Sequence, residues 1–280
     1  MKKYISIFCT IIWLCFLLTG CTKDATNVEL PEIKTEMVVG CFICPQDTEI
    51  KVTITLSNPV FSDGYKNDKS QNIKDAVVTI SNGILSIIIP YDESRKDYRI
   101  STSSFPILAG KTYYLSVTNV LYGTTSGRCT VPSLNITSTD ISFDTSGTNK
   151  QIILNWQDIP GQINYYQTFA YQLGVYRQNT NDTVGFQASS SKSGLFNDVN
   201  RDGGTLSIKY KYYYISTPDY RTAGYDLYLL NIDEKYYQYQ KSLNNADYNN
   251  PFSEPALIYS NMERGLGIFC AYQKLKIRKI

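Results

Sequence analysis

Histidine is absent from all 280 residues. That absence removes the commonest general base, the usual partner of a catalytic serine or cysteine, and the commonest transition-metal ligand. A surplus of one charge is missing too. Loss of Lys2 and Lys3 from the 27 basic residues leaves 25, equal to the 25 acidic ones. Neutrality without a Lys/Arg cluster excludes nucleic acid, whose affinity rests on cationic contacts to phosphate. Beyond residue 20 there is no apolar run that reaches the roughly 20 residues a membrane-spanning helix needs. No cofactor motif is present: Gly265 and Gly267 precede neither a helix start nor a P-loop lysine. Carboxylate-only hydrolysis of glycosides survives these exclusions, yet no motif pairs two acids.

What is present begins at the N-terminus. Lys2 and Lys3 precede an uncharged apolar stretch from Tyr4 to Leu18, the layout of an export signal. It ends Leu18-Thr19-Gly20-Cys21, which looks like the lipobox of bacterial lipoproteins. Cleavage before Cys21 and lipid on that residue would tether the chain to a membrane, each buried CH₂ adding about 0.8 kcal/mol. Residues 21–33 read as a polar tether.

The body reads as all-β. Val52, Ile54 and Leu56 alternate with polar residues, as do Ala76, Val78 and Ile80, and Tyr113, Leu115 and Val117. This period of two marks half-buried strands. The pattern implies an immunoglobulin-like antiparallel sandwich over residues 34–133. A second β domain is expected over 134–280. There Ile152, Leu154 and Trp156 alternate before the turn Asp158-Ile159-Pro160-Gly161, and a long strand follows from Ile163 to Tyr176. The Trp–turn–Tyr arrangement resembles a fibronectin type III sandwich. One helix is expected at about 233–244, capped by Asp233 with Glu234 in its first turn.

Four cysteines remain beyond Cys21: Cys41, Cys44, Cys129 and Cys270. The C-x-x-C pair reads as buried thiols on a strand, since residues three apart point to opposite faces. A redox or metal pair and a structural disulfide are the alternatives. Asp198-Val199-Asn200-Arg201-Asp202-Gly203 matches the opening of a calcium loop, but its twelfth position is Lys209 rather than Glu. A hairpin turn explains the same residues; a calcium site on Asp198, Asn200 and Asp202 is the alternative. Tyrosine is abundant, at 24 against 11 Phe. Its apolar ring and polar tip suit both half-wet sheets and binding faces. Tyr210, Tyr212 and Tyr214 share one strand face and form the candidate ligand surface.

The C-terminal segment is the most distinctive: Asn250-Pro251-Phe252-Ser253-Glu254-Pro255, then Ser260-Asn261, then Gly265-Leu266-Gly267-Ile268-Phe269. Together with Trp156, Asp158, Pro160-Gly161, Asn164-Tyr165-Tyr166 and the Ala109-Gly110 turn before Tyr113, it resembles an uncharacterised Bacteroidota lipoprotein family. Members carry a domain of unknown function across nearly the whole mature chain. This sequence departs in having Arg264 where glycine is common, and in Cys41, Cys44 and Cys270. The resemblance implies structural roles for Asn250, Pro251, Phe252, Glu254, Pro255, Asn261, Gly265, Gly267 and Phe269, and no catalytic residues. Genes of the family often lie beside TonB-dependent transporters, which implies an accessory partner of such a transporter.

The expectation is therefore a non-catalytic lipoprotein held at the outer membrane through Cys21, working with a TonB-dependent transporter. A structural or glycan-binding surface lipoprotein without a transporter is the alternative. A carboxylate-based glycan hydrolase is a minor one.

Overall fold

The computed structural model describes residues 34–57, 72–133, 136, 139–144, 150–176, 183–187, 194–211, 219–246 and 257–279. Among them run sixteen strands and one helix. The first eight strands are β1 (Met37–Ile43), β2 (Glu49–Leu56), β3 (Val77–Ser81), β4 (Ser86–Ile89), β5 (Tyr91–Asp92), β6 (Asp97–Ser101), β7 (Thr112–Asn119) and β8 (Gly123–Thr130). Then follow β9 (Thr139–Asp144), β10 (Gln151–Gln157), β11 (Tyr165–Tyr176), β12 (Thr183–Gln187), β13 (Leu195–Asn197), β14 (Thr205–Lys211) and β15 (Tyr220–Ile232). Helix α1 (Glu234–Asn245) and strand β16 (Leu266–Lys279) complete the described elements.

Alternation in the sequence translates directly into burial. Val52 and Ile54 of β2, Tyr113, Leu115 and Val117 of β7, and Ile152, Leu154 and Trp156 of β10 all point inward. Their polar neighbours point out, as the two-residue repeat of a pleated strand requires. Helix α1 starts where the sequence places it. Asp233 is its N-cap, and its carboxylate accepts the Tyr236 N–H at 2.7 Å. The described residues are thus all-β with one short helix near the C-terminus.

The strands form one nine-stranded sheet and two small ones. The large sheet has the order β12-β11-β15-β16-β1-β2-β6-β5, with β13 also pairing with β11. The small sheets are β4-β3-β7-β8 and β14-β10-β9. Each small sheet closes a sandwich over the same face of the large one. Phe269 and Ala271 of β16 share a core with Cys41, Val78 and Leu115. Ile277, an even number of residues further along β16, packs into a second core with Trp156, Leu154 and Leu227. The opposite face carries α1, whose Tyr236 packs among Ile268, Cys270 and Phe42. Its ring meets Phe42 edge-on at 5.5 Å and Tyr272 at 5.9 Å.

Strand β16 joins everything. Its first half, Leu266 to Ala271, pairs in parallel with Val38 to Ile43 of β1. Its second half, Tyr272 to Lys279, pairs antiparallel with β15. Strand β16 contributes to both cores, and Thr35–Ile280 packs as one unit. Such a parallel contact between the first and last strands demands close approach at one point. Gly267 has φ +113, and a Cβ there would lie 1.9 Å from the Val39 carbonyl oxygen. Only glycine fits. Arg264 also sits in the left-handed region, at φ 57, which gives a physical reason for glycine to be favoured at that position.

Gly267→Ala is expected to cost about 3 kcal/mol or more, because backbone must move to admit the methyl group. Arg264→Gly should change stability by less than about 1 kcal/mol, relief of strain being offset by a more flexible unfolded chain. Thermal unfolding of the two variants beside the parent checks both.

Candidate functional site

Strand β16 has a bare edge that side chains complete. Beyond its pairing with β15, the first half of β16 has no strand among the described residues on the side away from β1. Backbone groups buried there need other partners. Asp233 supplies two: its N–H donates to the Ala271 carbonyl at 3.0 Å, and its carboxylate accepts the Ala271 N–H at 3.0 Å. Asn261 does the same for Phe269, accepting its N–H at 2.9 Å and donating to its carbonyl at 2.7 Å. A second donation from the Asn261 amide reaches the Arg128 carbonyl on β8 at 3.3 Å. Two residues on, Glu263 and Ser126 exchange backbone hydrogen bonds. The segment around Asn261 therefore stitches the β4-β3-β7-β8 sheet to the large one.

That stitching builds one wall of a groove of about 640 Å³. The floor is the outward face of the small sheet. Tyr114 stands between Ser81 and Arg128 on its neighbouring strands, and Ser116 between Thr79 and Ser126. Asn261, Glu263 and Lys235 of α1 complete the lining. The same alternation that sends Tyr113 and Leu115 inward turns Tyr114 and Ser116 outward, so the sequence carried this signal. The result is a hydroxyl-rich face with one exposed ring and charges of both signs. It suits a ligand with many hydrogen-bonding groups.

A second cleft, of about 550 Å³, lies between the end of β8 and the loop before β11, with Asp233 and Glu234 in its wall. Burial raises the Asp233 carboxyl to about 7, against the pull of the N–H groups of Tyr236 and Ala271.

The turn expected at 198–203 lies between β13 and β14 and interlocks with the turn between β10 and β11. Asp158 accepts the Gly203 N–H at 2.8 Å, Asp202 accepts the Gly161 N–H at 2.8 Å, and Asp198 accepts the Asn164 N–H at 2.9 Å. Tyr166 donates its hydroxyl to Asp158 at 2.6 Å. Oxygens of Asp158, Asp198 and Asp202 thereby converge to within 4.8 Å of one another. Asn200, between Asp198 and Asp202 in the same turn, is exposed. Asp158 was not foreseen as a member, because it lies 40 residues from Asp198 and its own motif reads as a turn.

A family model for a domain of unknown function, DUF4249, matches residues 23–278. The chain belongs to the DUF4249 family. The comparison with curated proteins found no match.

Within this DUF4249 chain the glycines and the asparagine of the C-terminal motif serve the β1–β16 junction. A Cβ at Gly265 would lie 2.7 Å from the Thr125 hydroxyl, and Phe269 is buried beneath the stitch. Asn250, Pro251, Phe252, Glu254 and Pro255 lie outside the described residues, as do Cys21, Tyr212 and Tyr214. Tyr210 is described, and it points the other way from a ligand face. Its ring is buried in the second core, its hydroxyl donates to Thr168 at 2.6 Å, and burial raises its pKa to about 12. The outward residues of β14 are Thr205, Ser207, Lys209 and Lys211. Cys41, Cys44, Cys129 and Cys270 are buried free thiols. Burial pushes all four pKa values up, Cys44 to about 11, so none is a ready nucleophile. No helix among the described residues is long and apolar enough to cross a membrane.

Two outcomes follow for DUF4249 chains of this sequence. Asn261→Ala strands the Phe269 N–H and carbonyl, each worth about 1–3 kcal/mol when buried and unpaired; a loss of roughly 2–4 kcal/mol is expected in denaturant unfolding. Asp233 binds its proton more tightly in the folded chain than at the unfolded value of about 3.9. Its contribution to stability is full below about pH 4 and is lost as pH rises through about 7. Unfolding of Asp233→Ser across that window should lack this component.

Proposed function

We propose that this DUF4249 chain is a non-catalytic lipoprotein of the outer membrane. Cys21 carries the lipid, and the chain works as a binding partner of a TonB-dependent transporter. The observation that carries the binding role is the groove over Tyr114 and Arg128. Its wall is the family's C-terminal motif segment, so the residues that close the fold also shape the surface. The Leu18-Thr19-Gly20-Cys21 motif supports the anchor, and the family's gene neighbourhood supports the transporter.

Geometry favours binding over glycoside hydrolysis. Hydrolysis needs two carboxyl groups about 5–9.5 Å apart flanking an open sugar site. Among the described residues Glu263 is the one carboxylate lining the groove. Asp158, Asp198 and Asp202 are engaged with backbone N–H groups across two turns, and Asp233, beside Glu234 in the second cleft, is engaged with the N–H groups of Tyr236 and Ala271.

Affinity purification of the tagged chain from detergent-solubilised outer membranes should recover a transporter in stoichiometric amount. Recovery of the chain alone would count against the partnership, and Cys21→Ser should move the chain to the soluble fraction. Replacing both Tyr114 and Arg128 with alanine is expected to leave stability within about 0.5 kcal/mol, as for exposed positions generally, while weakening ligand or partner capture.

A further inference from the structure

Interlocking the two turns accounts for most of the hydrogen bonds at Asp158, Asp198 and Asp202, but not for their charges. Asp158 and Asp198 are each only 2% exposed. Among the described residues none of the three forms an ion pair with a lysine or arginine. One oxygen of Asp198, Oδ1, is buried with no hydrogen-bond partner at all. A buried carboxylate oxygen without a donor, on a residue whose carboxylate lies beside two others, is a costly arrangement for three anions alone.

A cation resolves this. The donor set is entirely oxygen, which selects a hard ion and excludes those that want thiolate or imidazole. Carboxylates from two separate loops, with Asp202 exposed to solvent, suit the variable six-to-eight coordination of calcium better than the rigid octahedron of magnesium. The Asp198–Asp202 spacing supplies two ligands, and Asp158 takes the place of the missing acid at the end of a calcium loop. We propose that Asp158, Asp198 and Asp202 bind a calcium ion that clamps the turn between β10 and β11 to the turn between β13 and β14.

The ion would lie close to energy donors: Tyr166 is hydrogen-bonded to Asp158, and its ring packs edge-on against Trp156 at 5.7 Å. Terbium, a luminescent stand-in for calcium, is therefore the probe. With the purified full chain, terbium emission excited through the aromatic rings should appear and be displaced by calcium. Calcium in excess over a chelator should raise Tm by roughly 3–6 °C, for a site of the millimolar to submillimolar affinity seen in extracellular modules. Asp202→Asn keeps an oxygen for the Gly161 N–H and is exposed, so the fold should survive. It is expected to weaken calcium binding at least about tenfold while leaving Tm in chelator unchanged or higher. Asp198→Asn serves as the second variant. Equal Tm in chelator and calcium with no sensitised emission would overturn the proposal. A calcium shift undiminished in both variants would overturn it as well.

Discussion

The parallel pairing of the first described strand with the last is the constraint on which the rest depends. Val38 to Ile43 lies beside Leu266 to Ala271, so a loop of more than two hundred residues must close before either sandwich is complete. Closing it costs chain entropy that grows only slowly with length, but its non-local contacts are the kind that slow folding. Gly267 makes the approach possible, and Phe269 and Ala271 put the contact into the first core. Further along, Ile277 carries the same strand into the second core. The outer half of β16 is fastened by charge: Lys276 and Arg278 reach Asp226 at 2.9 and 2.7 Å. Hydrogen bonds from Arg278, working against burial, hold the Asp226 carboxyl down to about 2.

Polar side chains here largely complete what strands leave unfinished. Asn261 and Asp233 act as substitute peptide groups along the bare edge of β16, and the three aspartates cap backbone N–H groups across two turns. This consumption of polar groups sharpens the functional reading. The groove over Tyr114, Ser116 and Arg128 is where hydrogen-bonding groups face outward in number. Lipid attachment and a transporter partner remain the proposed setting in which that face works.

Much of the architecture was legible in the sequence wherever one strand face is buried and the other wet. Val52 and Ile54, Tyr113 and Leu115, and Ile152 and Leu154 gave their orientation by alternation alone, and Asp233 marked the helix start because a cap has a local signature. Long-range pairing left no such mark. Nothing local joins Val39 to Gly267, or Asp158 to Asp198. The second half of β16 is disguised by Lys274, Lys276 and Arg278, whose charges are balanced by Asp47 and Asp226 from distant positions. Tyr210 shows the limit of composition. A tyrosine suits a sheet and a binding face equally until the partner of its hydroxyl, here the buried Thr168 that accepts its hydrogen bond, is known.

Native-state hydrogen exchange across β16 tests the central claim most directly. If this strand couples the two sandwiches, amides from Ile268 to Ile277 should exchange at one slow, common rate. That rate should match global unfolding and be shared by the cores of both sandwiches. Two distinct rates, with the Leu266–Ala271 half opening separately from the Tyr272–Lys279 half, would contradict a single cooperative unit built on one shared strand.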